Sequence, residues 1–125
     1  ISRKLHTCIR NLRAELTEDT TEAQIITSYL TYWKEEKNLL DIIVCNNLLS
    51  LLVDQCIRFL REEDQSILPI LDTPQLQADS FVLSGFVVMQ VTLILQWHLQ
   101  NYETPLEDMV RTYKRLIYQP LLNLE

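Results

Sequence analysis

Apolar residues recur along this chain at the three- and four-residue spacing of a helix face. From Arg3 to Leu16, Leu5, Cys8, Ile9, Leu12 and Leu16 form one stripe with Arg3, Lys4, Arg10 and Arg13 opposite, which predicts a helix with one buried face. Thr17-Glu18-Asp19-Thr20-Thr21 breaks it, and Thr21 with Gln24 reads as a capping box that opens a second helix. That helix carries Ala23, Ile26, Tyr29, Leu30 and Trp33 on one side and Thr27, Thr31, Lys34 and Glu35 on the other. After a polar joint at Glu35-Glu36-Lys37-Asn38, the longest apolar pattern predicts one central helix from Leu39 to about Leu60. Its polar stripe is Asn47, Ser50, Asp54 and Arg58, while Cys45, Leu49, Leu52, Cys56 and Phe59 project elsewhere. The stretch from Glu62 to about Gln75, with Pro69 and Pro74, reads as the long loop. A fourth helix is expected from about Ala78 to Asn101. The last opens at Thr104-Pro105-Leu106-Glu107, with Thr104 capping, Pro105 in the first helical position and Glu107 closing the box. Its stripe is Leu106, Met109, Val110, Tyr113, Leu116 and Ile117, and Pro120 is expected to end it.

Composition sharpens this into a fold class. A length of 125 residues fits one domain, 1–125, and 47% hydrophobic with 22% charged residues is globular composition. One Gly and four Pro leave too few turn residues for most β architectures. The expected fold is all-α, a single antiparallel helical domain of about five helices. A net charge of −6 argues against a nucleic-acid or anionic-membrane surface on this chain. Three Cys without framework spacing suit a reducing, cytoplasmic compartment. The chain begins at Ile1 with no signal-like segment, which suggests part of a longer protein.

The fourth helix lacks charge from Ser80 to Tyr102, long enough to raise a membrane span. Ser84, Gln90, Thr92, Gln96 and His98 are costly in hydrocarbon and the flanks lack a basic cluster, so a helix covered by protein on both sides is the expectation. One side, Val82, Phe86, Met89, Leu93 and Trp97, can face the domain core. The other, Ser84, Val88, Val91, Leu95 and Leu99, needs the last helix or a partner.

Catalytic and metal chemistry find no support. A di-metal carboxylate bundle needs Glu three residues before His, but Arg3 precedes His6 and Leu95 precedes His98 at that spacing. No zinc spacing or Gly-rich loop occurs, so no metal, cofactor or enzyme activity is expected. On one helix Cys45 and Cys56 would lie about 16 Å apart, which reads as two small core residues. Neither thiol has a His placed beside it by sequence. Asp54 and Arg58 make an ordinary i, i+4 pair, so their stripe reads as a solvated face before a polar site. The aromatics Tyr29, Tyr32, Trp33, Phe59, Phe86 and Trp97 are core by default. Gln90 and Gln96, amides inside an apolar helix, need hydrogen-bond partners. Tyr29, Trp33, Leu49, Cys56, Phe59, Phe86, Met89, Gln90 and Leu93 could therefore wall a pocket of roughly 300–1,000 Å³ for an apolar molecule. A filled core, with Gln90 turned toward another helix, is the other reading.

Two stretches carry a family resemblance: Tyr29-Leu30-Thr31-Tyr32-Trp33-Lys34-Glu35-Glu36-Lys37-Asn38-Leu39-Leu40, and Phe81-Val82-Leu83-Ser84-Gly85-Phe86 continuing to Gln96-Trp97-His98-Leu99-Gln100-Asn101 and Thr104-Pro105-Leu106-Glu107-Asp108-Met109. They resemble the C-terminal domain of TetR-family transcriptional regulators. The chain departs from that pattern at Phe86, where a second small residue is frequent, and at Asn101 and Tyr102, where Gly is usual. The resemblance implies that the earlier helices enclose an effector pocket and that the last two helices form an intersubunit four-helix bundle. Ser84, Val88, Val91, Leu95, Leu99, Met109, Val110, Tyr113 and Leu116 would then supply a homodimer seam. No basic helix-turn-helix precedes Leu5, so duplex DNA would be a partner of a full-length chain and not of these residues. The expectation is an effector-sensing and dimerisation domain of a bacterial TetR-like regulator, binding a small apolar effector. The alternatives are a helical interaction module that seats a partner helix, and a membrane-embedded fragment.

Overall fold

A computed structural model describes residues 2–62 and 80–122, which are all-α. The chain runs through α1 (Ser2–Glu15), α2 (Glu22–Glu35), α3 (Lys37–Cys45), α4 (Leu49–Glu62) and α5 (Ser80–Leu99), then α6 (Leu106–Tyr113), a π-helical turn (Lys114–Tyr118) and α7 (Gln119–Leu122). The loop expected from Glu62 to Gln75 lies outside the described residues, apart from Glu62 itself. So do the side chains of Leu5 and Ile9 in the first stripe.

The start of α2 follows from its capping box. The Thr21 amide donates to Gln24 Oε1 at 2.8 Å and the Gln24 amide to Thr21 Oγ1 at 3.2 Å. Ile26, Tyr29, Leu30 and Trp33 are buried along its inner side as periodicity requires.

The expected continuous helix from Leu39 to Leu60 is two helices. Asn47 adopts φ 55°, and the Leu48 amide reaches back to the Ile43 carbonyl at 2.9 Å. Asn46 adds a side-chain bond from Nδ2 to the Ile42 carbonyl. This is a left-handed helix end, which Asn tolerates better than most residues because its short amide bonds locally. The break leaves Cys45 exposed on α3 and Cys56 buried on α4, so only the second is a core residue. A thiol reagent near neutral pH is expected to label Cys45 quickly and Cys8 and Cys56 only on unfolding. Three fast thiols would contradict this burial.

α5 sits at the centre, packed chiefly against α4 and also touching α2, α3 and the π turn. α6 packs mainly on α2, and α1 covers α2 and α4. Two further sequence expectations fail at the C-terminal stretch. No side-chain bond caps α6: Pro105, expected in the first helical position, is itself the cap residue, and the Thr104 amide is taken by Gln100 Oε1 at 2.8 Å. Pro120 lies inside the final helical stretch instead of ending it. The π turn adds a residue to the helical repeat, so Ile117 and Tyr118 turn inward while Leu116, expected in the buried stripe, is exposed.

Candidate functional site

The polar centre of the core is built by three helices. Gln90, on α5, donates from Nε2 to the Tyr29 hydroxyl at 2.7 Å and accepts from the Tyr113 hydroxyl on Oε1 at 2.6 Å. An amide in an otherwise apolar helix is thereby satisfied by one tyrosine from α2 and one from α6. The rings of Tyr29 and Tyr113 meet edge to face at 6.4 Å, and Tyr29 meets Trp33 at the same distance. Beside this chain of bonds lies a cavity of about 10 Å³, lined by Tyr29, Trp33, Leu40, Leu52, Cys56, Gln90, Val91 and Ile94. The Trp33 indole N–H is near enough to the Tyr29 oxygen to favour its ionised form slightly, but not at hydrogen-bonding geometry. It has no acceptor among the described residues.

Burial shifts the ionisable groups here. Desolvation pushes Tyr29 and Tyr113 well above the ordinary phenol value of 10.0. It likewise raises the Cys8 and Cys56 thiols from 9.0 to about 12, with the Glu36 charge adding to the effect on Cys8. Each of these groups is neutral when protonated, and the folded chain holds the proton to higher pH than the unfolded chain. Their contribution to stability is therefore full below about pH 9 and is lost as pH rises toward about 12. Urea midpoints at about pH 7.5 and about pH 10.5 check the sign. The higher pH is expected to give the lower midpoint, and equal midpoints would contradict the burial of these groups.

No family model, curated protein or solved structure matches the chain. The site is therefore read from its geometry. Of the pocket residues expected from sequence, Tyr29, Trp33, Cys56 and Gln90 do converge on one cavity, and its volume is about 10 Å³ instead of several hundred. Phe59 and Phe86 are buried but do not line it, and Leu93 is half-buried. Leu49 and Met89 are exposed, so neither is a wall. The filled-core reading, with Gln90 turned toward neighbouring helices, describes the side chains as they stand. Gln96, the second amide of this apolar helix, is exposed to solvent.

The residues expected at a dimer seam divide in the same way. Val91, Leu95, Met109, Val110 and Tyr113 are buried in the chain's own core and are not available to a partner. Val88, Leu99 and Leu116 are exposed, and Ser84 is half-exposed. On α5 Gly85, Val88, Met89, Thr92, Gln96 and Leu99 form an exposed side without a single charge. Phe81 is 89% exposed. A Cβ added at Gly85 would meet no atom within 4 Å, so the face is open at that position. The helix span Phe81–Leu99 is long and apolar enough to cross a membrane, with 44% of it buried inside the protein.

A second polar cluster escaped the sequence. His98 pairs through Nε2 with Asp41 Oδ1 at 2.6 Å and through Nδ1 with the Tyr102 hydroxyl at 2.7 Å. A carboxylate facing Nε2 places the ring hydrogen there, so that in the neutral ring Nδ1 accepts from Tyr102. Lys34 Nζ lies over the Trp97 and Tyr102 rings at 5.6 and 5.5 Å, and Trp97 Nε1 donates to the Thr104 carbonyl at 2.8 Å. These contacts hold Asn101 and Tyr102 at φ 58° and 59°, where the resemblance expects Gly. A side chain in that conformation costs roughly 1–2 kcal/mol, which the Tyr102 ring and hydroxyl contacts offset. Asp41 and His98 lie on separate helices, and no local spacing marks such a pair. Among the described residues no group of three or more His, Cys, Asp or Glu comes together to hold a metal.

Proposed function

We propose that this chain is the effector-sensing and self-association domain of a TetR-like bacterial regulator, acting in the cytoplasm and without enzymatic activity. The observation that carries the reading is the charge-free exposed face of α5, from Gly85 to Leu99. The 15 residues from Gly85 to Leu99 span about 22 Å, and a charge-free strip of that length carrying Val88, Met89 and Leu99 suits an association surface. A second copy of the chain covers it with the same strip, as a two-fold interface requires. Leu116, on the π turn, is a further exposed apolar residue, and Arg111 and Arg115 are exposed near it in the chain.

The effector part of the reading rests on the core chain of bonds. Tyr29, Gln90 and Tyr113 tie α2, α5 and α6 through polar contacts that a ligand can exchange for its own. In this conformation the cavity is nearly closed, so an effector acts by selecting a more open arrangement, in which α4 tilts away from α5 about the Asn46–Asn47 break. The tilt changes the setting of DNA-binding segments carried by a longer chain. At a net charge of −6 these residues do not themselves grip duplex DNA.

Oxidative footprinting of the two methionines tests the pairing. Met89 is on the bare face and Met109 is buried. Peroxide is expected to oxidise Met89 slowly at high protein concentration and quickly on dilution, with Met109 slow throughout. Met89 oxidation independent of concentration would reject self-association through this face, and protection only in the presence of another protein would favour the partner-helix module.

A further inference from the structure

The Tyr29–Gln90–Tyr113 chain leaves donors over at the cavity. Tyr29 accepts from Gln90 Nε2, and its own hydroxyl hydrogen has no acceptor among the described residues. The Trp33 indole N–H, on a side chain only 3% exposed, has none there either. Buried donors are nearly always paired, so two together on one cavity wall mark a place built for an acceptor. Apart from Gln90 and the Cys56 thiol, the remaining wall is apolar, formed by Leu40, Leu52, Val91 and Ile94.

We propose that this cavity recognises the carbonyl oxygen of a small, otherwise apolar ketone or ester, held jointly by Trp33 Nε1–H and the Tyr29 hydroxyl. The inference rests on the effector reading above and adds the chemistry of the ligand. A carboxylate is disfavoured because the lining holds no cation to pair it. An alcohol or a water must also place its own hydrogens, and the acceptors beside the cavity, the Tyr29 and Gln90 oxygens, already take one hydrogen bond each and offer only a second lone pair. A carbonyl brings two lone pairs and no hydrogen. The cavity of about 10 Å³ is room for the oxygen alone. The hydrocarbon portion therefore occupies the space that opens as α4 leaves α5, where Leu52 and Cys56 line the other side.

The test uses the whole chain and two probes of the same shape, cyclohexanone and methylenecyclohexane, which differ by an oxygen against a CH₂. Indole N–H resonances report directly, since Trp97 is already bonded to the Thr104 carbonyl and serves as an internal reference beside Trp33. Cyclohexanone is expected to move the Trp33 indole hydrogen downfield, to leave Trp97 in place, and to bind on the order of tenfold more tightly than the hydrocarbon. Trp33→Phe is expected to bring the two affinities to within about twofold of each other, because the aromatic wall remains and the N–H is gone. Equal binding of both probes without an indole shift would overturn the carbonyl assignment and leave the effector pocket standing. Binding of neither probe up to its solubility would overturn both. A long-lived water detected at the Trp33 indole hydrogen, and not displaced by the ketone, would also overturn the assignment. The shift on the unmodified chain decides the matter should Trp33→Phe fail to fold.

Discussion

Phe86→Ala is expected to lower folding stability by about 3–5 kcal/mol, the loss of a fully packed aromatic. Phe86 is 7% exposed on the covered side of α5 and does not line the small cavity. Its removal therefore leaves a hole that the surrounding helices cannot fill with an existing void. Against a total of roughly 5–15 kcal/mol for a domain, the loss is a third or more of the whole for most of that range. Urea denaturation measures it directly, and the melting temperature is expected to fall by roughly 10–20 °C. A loss below about 1.5 kcal/mol would mean that Phe86 borders open space, and the closed core described above would be wrong.

How far such a core can be read from the chain depends on which helix is considered. α2 carries its polar residues on one side and its cap at one end, so its limits and its buried face are both visible in the order of residues. α5 is the opposite case. It is apolar around its whole circumference, and a helix without a polar side gives periodicity nothing with which to orient it. Val88 and Leu99 were expected outside and are outside; Val91 and Leu95 were expected with them and are buried, while Met89 was expected inside and is exposed. The error is one of rotation about the helix axis. The break at Asn46-Asn47 was hidden because apolar residues continue across it, and the signal that could have shown it is the Asn pair itself. The π turn is legible only through its consequence, the exchange of Leu116 for Tyr118 in the buried stripe.

The candidate site was visible in part for a similar reason. Gln90 is conspicuous as an amide among apolar residues, and its need for partners is a matter of elementary chemistry. The identity of those partners is not, since Tyr29 stands 61 residues away and Tyr113 was assigned from its stripe to a different surface. Asp41 and His98, separated by 57 residues, are further still from anything that spacing can reveal.

The largest expected effect on assembly belongs to Val88→Glu. Val88 is 48% exposed in the single chain, so the carboxylate remains hydrated there, and monomer stability is expected to change by no more than about 0.5 kcal/mol. In a pair of α5 helices the same carboxylate meets an apolar, charge-free strip with no cation on it. Burying an unpaired charge costs about 3–5 kcal/mol, and a two-fold dimer buries one from each copy, which weakens the dimer by at least roughly two to four orders of magnitude in Kd. Gel filtration of the variant beside the unmodified chain reads the shift, and urea denaturation confirms that the fold is intact. Identical elution of the two proteins across the accessible concentrations would remove α5 from the interface.

Sedimentation equilibrium of the unmodified chain at micromolar concentration tests the central claim most directly. A chain of 14.8 kDa that pairs through the face from Gly85 to Leu99 sediments with twice that mass and dissociates on dilution. A single species of 14.8 kDa at every concentration would contradict it.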